Sequence, residues 1–139
     1  MSERKLSWLA RRMLARCGLL DVGYAVESLP RYLASRPHDT SYRFFRNFDG
    51  QPGLFVDIGA NRGQSAVSFR IHNRSYRIVS YEPNSTLRLH LRRVAQIIAG
   101  PFEFHAWGFA DAAGTRTLYV PTVDGVVLTQ GRASTVSGS

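Results

Sequence analysis

The chain has 139 residues, 44% of them hydrophobic and 20% charged, which suits one folded domain and excludes a disordered, low-hydrophobicity chain. No apolar run approaches the ~20 residues a membrane-spanning helix requires. The net charge is +8, and Lys5 is the only lysine beside seventeen arginines, so a solvated arginine-rich surface or non-specific attraction to anions is expected, with no motif for specific nucleic-acid recognition.

The excess charge is uneven. Residues 1–40 carry seven basic and four acidic side chains, residues 41–100 nine and three, and residues 101–139 two and three. Residues 3–20 read as an amphipathic helix, with Leu6, Leu9, Ala10, Met13, Leu14 and Cys17 on one stripe. Its expected role is to cap a core; contact with a membrane surface or a partner is the less favoured reading. Arg11 and Arg12 follow directly on Leu6, Trp8 and Leu9, which is unlike a signal peptide, so a cytoplasmic protein is expected. Cys17 is the sole cysteine, so no intrachain disulfide forms; its place on the apolar stripe reads as packing rather than nucleophilic chemistry. A second short helix is expected around 22–35, interrupted near Pro30, with Pro37 beyond it.

Gly50–Gly53 is a turn signal. Leu54–Asp57 then reads as a buried strand, Gly59–Gly63 as a glycine-bearing loop, and Gln64–Asn73 as a helix. Tyr76–Tyr81 is a second strand. Glu82-Pro83-Asn84 turns into a helix over Ser85–Ala99, whose stripe is Leu87, Leu91, Val94 and Ile98; Gly100-Pro101 ends it. Phe102–Trp107 alternates as a third strand and Thr115–Val120 as a fourth, with Val126–Leu128 pairing back as a hairpin after the Asp124-Gly125 turn. The Gly/Ser/Thr-rich residues 131–139 are expected to fray as a flexible tail. Strand, helix, strand, helix, strand predicts an α/β fold with a parallel sheet. The expected organisation is a helical segment over 1–49, a Rossmann-like half-domain over 50–130, and the tail.

The chemistry centres on Asp57-Ile58-Gly59-Ala60-Asn61-Arg62-Gly63, a D-x-G-x-x-x-G pattern between a strand and a helix. Ligands of open parallel sheets bind at the carboxyl ends of the strands. Gly59 permits a tight turn and close ligand approach, and Gly63 lets the helix start pack near the strand. The helix N-terminus offers amide groups and partial positive charge to a carboxylate. The pattern departs from the dinucleotide fingerprint G-x-G-x-x-G, because Asp57 stands where the first glycine would be. A carboxylate there repels a pyrophosphate, which disfavours a nicotinamide dehydrogenase, and suits an ammonium group. S-adenosylmethionine, with an ammonium, a carboxylate, a ribose and an adenine, fits. Glu82 follows Asp57 by 25 residues and Gly63 by 19, the place of an acid that accepts ribose hydroxyls. The competing reading makes Asp57 a helix or turn cap and Glu82 a solvated loop acid.

Phe55–Gln64, Tyr81-Glu82-Pro83-Asn84, and Ala106–Gly114 before a Thr-Leu-Tyr-Val strand together resemble the FkbM family of methyltransferases over roughly residues 53–136. The resemblance implies a class I methyltransferase fold, S-adenosylmethionine as methyl donor, and an acceptor hydroxyl on a sugar or secondary metabolite. It places Asp57, Gly59, Ala60, Asn61 and Gly63 at the methionine end of the donor. It places Glu82 at the ribose, with Pro83 and Asn84 shaping that turn, and the neighbourhood of Ala106 and Trp107 near the adenine. Family members continue into a fourth core strand with a lysine-and-acid segment and Glu-Gly, then three more strands. This sequence has no match to that part, so an incomplete sheet is expected, with the open side of the first strand covered by residues 115–128, by a second copy, or by a missing C-terminal half. No catalytic base and no metal site is identifiable: His38, His72, His90 and His105 are scattered, and His105 alone falls near a strand end. The alternative expectation is a non-catalytic remnant or interaction module with a basic surface.

Overall fold

The computed structural model describes residues 28–120 and the strand residues 122–123, 126–127 and 134–135. The amphipathic helix expected over 3–20, with Cys17, lies outside the described residues, as does the first part of the helix expected over 22–35. Residues 28–33 are helical, and Ala34 N–H donates to the Pro30 carbonyl at 2.9 Å. The helical residues 28–33 run through Pro30 without a break.

The core elements alternate as the hydrophobic pattern predicts. β1 is Leu54–Ile58, α1 Gln64–His72, β2 Arg77–Tyr81, α2 Arg88–Ile97 and β3 Phe102–His105. The three strands form one parallel sheet in the order β1-β2-β3. Leu54 pairs with Arg77 and Ile58 with Tyr81; Ile78 pairs with Phe102 and Tyr81 with His105. A 3-10 turn, Ser85–Leu87, precedes α2, so the helix expected from Ser85 starts as the tighter form.

One face of the sheet carries the core. Phe55, Ile78 and Phe102 point to it, and Ala66, Val67 and Phe69 of α1 and Val94 and Ile98 near α2 pack there. The rings of Phe55 and Phe69 stack with centroids 4.0 Å apart. The predicted stripe Leu87, Leu91, Val94 and Ile98 is buried throughout. A 3-10 segment, Thr40–Phe48, also joins this core through Tyr42 and Phe45. Asp39 begins it by accepting the Ser41 amide at 2.8 Å. Residues 28–49 are thus packed on the sheet domain: His38 N–H donates to Ser68 Oγ at 2.9 Å, and Ala99 N–H to the Tyr32 hydroxyl at 3.1 Å.

Arg70 is fully buried at the end of α1. Its guanidinium donates to the carbonyls of Arg74 at 2.9 Å and Pro101 at 3.2 Å, joining the helix exit to the entrance of β3. Burial pushes its pKa down from the ordinary arginine value.

The opposite face is open at β1. Leu54, Val56 and Ile58 alternate with Phe55 and Asp57 and are exposed, Ile58 at 63%. No described helix covers them. The expected fourth strand is short: Leu118–Tyr119 is β4, and it pairs antiparallel with β7, Ser134–Thr135. The tail expected to fray therefore supplies a short strand. The expected hairpin exists, but Val126–Val127 (β6) pairs with Thr122–Val123 (β5) rather than with Leu118–Tyr119. None of these strands pairs with β1, which remains an edge.

Candidate functional site

Asp57, Gly59–Gly63 and Glu82–Asn84 gather at the carboxyl ends of β1 and β2. Parallel pairing causes this. Asp57 lies opposite Ser80, so the loop after β1 and the turn after β2 leave the sheet side by side.

Glu82 joins the two. One oxygen, Oε2, accepts the Asn61 amide at 2.8 Å; the other, Oε1, accepts the Asn84 amide at 2.9 Å. Each carboxylate oxygen has a further lone pair for another donor. Glu82 is half-buried, and its own amide donates to the His105 carbonyl at 3.0 Å. The acid is therefore tied to all three strand ends rather than loosely solvated.

The loop itself continues the ladder. Gly59 and Ala60 N–H both donate to the Tyr81 carbonyl, at 2.9 and 3.0 Å. Ala60 is buried, so its methyl packs inward. Asn61 adopts φ +52°, a left-handed conformation that asparagine tolerates. Gly59 has φ +77° and open space where a Cβ would stand. Gly63 has φ +82° and caps α1; an added Cβ would meet Val94 Cγ2 at 3.0 Å. A helix–strand contact is expected at Gly63 from the sequence; the nearest neighbour of its Cα hydrogens is Val94 of α2, because the loop delivers α1 beside α2 on one face of the sheet.

Asp57 is 7% exposed. Ser65 Oγ donates to its Oδ2 at 2.6 Å and Ser80 Oγ at 3.1 Å. Both serines converge on Oδ2, and Oδ1 takes no hydrogen bond among the described residues. Burial raises the Asp57 pKa; the two hydroxyls act against that, and the Glu82 charge adds to it. Asp57 is not a helix cap: the N-cap of α1 is Gly63, which makes no side-chain bond.

Pro83 and Asn84 have structural duties. The Pro83 ring lies against Gly108, where an added Cβ would meet it at 3.4 Å. Asn84 Oδ1 accepts the Thr86 amide at 3.1 Å and its hydroxyl at 2.7 Å, which starts the turn into α2. Past β3, the rings of Tyr81, His105 and Trp107 form a continuous stack, with centroids 5.2 and 4.8 Å apart. Phe109 meets Tyr81 edge-on at 4.9 Å, and Trp107 and Phe109 are exposed. His105 is thus one layer of an aromatic stack.

The other histidines are dispersed. His38 and His72 lie toward α1 and the segment before it, and His90 is buried on α2. Among the described residues no group of three metal-ligating side chains exists.

Ser65 and Ser80 were not singled out by spacing. Ser80 carried a signal: it interrupts the buried run Ile78-Val79 in β2, where a polar side chain needs a partner.

The fold and site define an α/β protein whose glycine loop and acidic turn meet at the carboxyl edge of a parallel sheet. No protein-family model matches the chain, and neither a curated protein nor a solved structure matches it. No described helix is long and apolar enough to cross a membrane.

Proposed function

We propose that the 57–63 loop and the 82–84 turn form a site for S-adenosylmethionine, and that the chain has the Rossmann-like architecture of an FkbM-type methyltransferase acting on a hydroxyl of a small molecule or glycan. The observation that carries the reading is Glu82. Its two oxygens are fixed by Asn61 and Asn84 amides, and each keeps a lone pair for a ribose hydroxyl.

The remaining residues fit the same ligand. Asp57 Oδ1 is left for an ammonium, while Oδ2 is held by Ser65 and Ser80. Gly59 keeps the space above β1 clear. The first turn of α1 offers its amide groups and positive dipole end to a carboxylate. Asp57 and Glu82 set two negative charges beside the loop, which suits a cationic donor and opposes a dinucleotide pyrophosphate. S-adenosylmethionine supplies an activated methyl group on a sulfonium. The part of these residues is to bind and orient that donor, since methyl transfer is chiefly a matter of alignment.

The test is calorimetric titration of the folded chain with S-adenosylhomocysteine, with Glu82→Ala as control and circular dichroism to verify folding. Binding that the substitution removes supports the reading. A well-folded chain that releases no heat overturns it.

A further inference from the structure

β1 is an edge whose outer backbone groups are left open. The ladder to β2 runs from the Gly53 carbonyl, which accepts the Arg77 amide at 3.0 Å, to the Gly59 amide, which donates to the Tyr81 carbonyl at 2.9 Å. Phe55 and Asp57, in step with those two, turn their backbone groups to β2. Leu54, Val56 and Ile58 alternate with them and turn theirs to the open edge. No described strand pairs with them there. Their side chains stand on the uncovered face of the sheet, exposed at 55%, 47% and 63%. Edge strands are commonly blunted by lysine, proline or a bulge. The strand Leu-Phe-Val-Asp-Ile has neither residue, and its register with β2 is unbroken. Its one charge, Asp57, is turned to the helix-bearing face, where Ser65 and Ser80 hold it.

We propose that β1 pairs with β1 of a second copy of the chain, antiparallel about a twofold axis at Val56, so that two three-stranded sheets join edge to edge. A second copy fits because the strand is complementary to itself. In this register Val56 meets the partner's Val56, Leu54 meets the partner's Ile58, and each pair exchanges both N–H···O bonds. Every outward backbone group of Leu54, Val56 and Ile58 is then satisfied. A slip of one residue sets them against Phe55 and Asp57, whose groups already serve β2. Charge permits the contact. The net charge of +8 opposes self-association in general, but this register sets no charged side chain against a like one: Asp57 lies opposite the partner's Phe55. Three side chains and one strand edge fall short of the ~800 Å² per partner of a standard interface, so the dimer is a weak and reversible one.

Sedimentation velocity over a range of chain concentrations reads the association, and the dimer fraction should rise with concentration. Val56→Pro removes an outward N–H and leaves the bonds to β2 intact, since an edge strand accepts proline on its open side. It should weaken dimerisation about 10-fold or more, because both central bonds are lost at the axis. Val56→Lys should do the same by setting two like charges together. Circular dichroism verifies that both variants fold. A third variant reads the register without weakening the pairing. In a Cys17→Ser background, Val56→Cys should form an intermolecular disulfide under mild oxidation, since residues that exchange both bonds lie about 5.5 Å apart at Cα. Leu54→Cys, two residues from the axis, should not link to itself. A chain that stays monomeric at every concentration overturns the proposal. A dimer that folded Val56→Pro and Val56→Lys leave intact, or that Leu54→Cys links as readily as Val56→Cys, overturns the pairing and its register.

Discussion

The Glu82 carboxylate accepts the Asn61 amide at 2.8 Å, and this bond crosses from the turn after β2 to the loop after β1. Asn61 holds φ +52°, a left-handed bend that asparagine tolerates and that this bond fixes in place. Glu82 is therefore both the acid of the proposed ligand site and the clasp of its loop.

Glu82→Ala is expected to lose S-adenosylhomocysteine binding and also some stability. Hydrogen bonds to charged groups contribute about 1.5–3 kcal/mol each when buried. Half-exposure reduces that, and a total loss of roughly 1–3 kcal/mol in urea unfolding is expected. A variant as stable as the wild type would show that the clasp contributes nothing. Faster hydrogen exchange at the Asn61 amide checks the same point locally.

Gly59→Ala and Gly63→Ala should separate. Both positions have positive φ, which costs an alanine roughly 1–2 kcal/mol. Only Gly63 has a neighbour, Val94 Cγ2 at 3.0 Å from an added Cβ. Gly63→Ala is therefore the more destabilising. Gly59→Ala places its methyl in open space at the strand end, so its larger effect should be on binding. Denaturant midpoints and titration of both variants decide it; equal stability losses would contradict the packing argument.

Asp57→Asn should stabilise the chain while weakening ligand binding. Burial raises the Asp57 pKa, so the ionised form costs folding energy. At pH below the ordinary carboxylate pKa the group is protonated folded and unfolded, and the variant gains nothing. As pH rises, the unfolded chain loses its proton first, and wild-type stability falls until the raised folded pKa is passed. The thermal midpoint of Asp57→Asn should therefore exceed the wild type's at neutral pH, and the gap should close in acid. A gap of the opposite sign at neutral pH would show that the serines outweigh burial.

Arg70→Met is expected to cost about 3 kcal/mol in urea unfolding, because it removes both guanidinium bonds, leaving the Arg74 carbonyl without this donor and the Pro101 carbonyl with the Ile78 amide alone. Arg70→Lys should recover only part, since one ammonium cannot span both carbonyls as the planar guanidinium does. Full recovery by lysine would show that charge alone matters.

The succession of strands and helices between residues 54 and 105 was legible because each element is long enough to show its period. Leu87, Leu91, Val94 and Ile98 return every three or four residues, and all four are buried. The grouping of Asp57, Gly59–Gly63 and Glu82 at adjacent strand ends was legible too, since strands of a parallel sheet share their carboxyl edge. The segment after residue 114 was less so. Short apolar runs such as Leu118–Tyr119 and Val126–Val127 fit several partners, and only the register of the folded chain selects among them.

The sequence by itself determined the local states: which runs turn inward, where glycine permits a left-handed bend, and which acids stand at the ends of the first two strands. Periodicity and backbone sterics act over a few residues, so they are written in order along the chain. Tertiary structure alone decided the partners of those groups. Ser65 and Ser80 reach Asp57, Tyr42 comes over β1 from a segment that resembled a separate helical region, and Gly63 meets Val94 rather than a strand. Those contacts depend on where α1, α2 and the Thr40–Phe48 segment settle on one face of the sheet. That is set by packing between residues far apart in the chain, which no local pattern encodes.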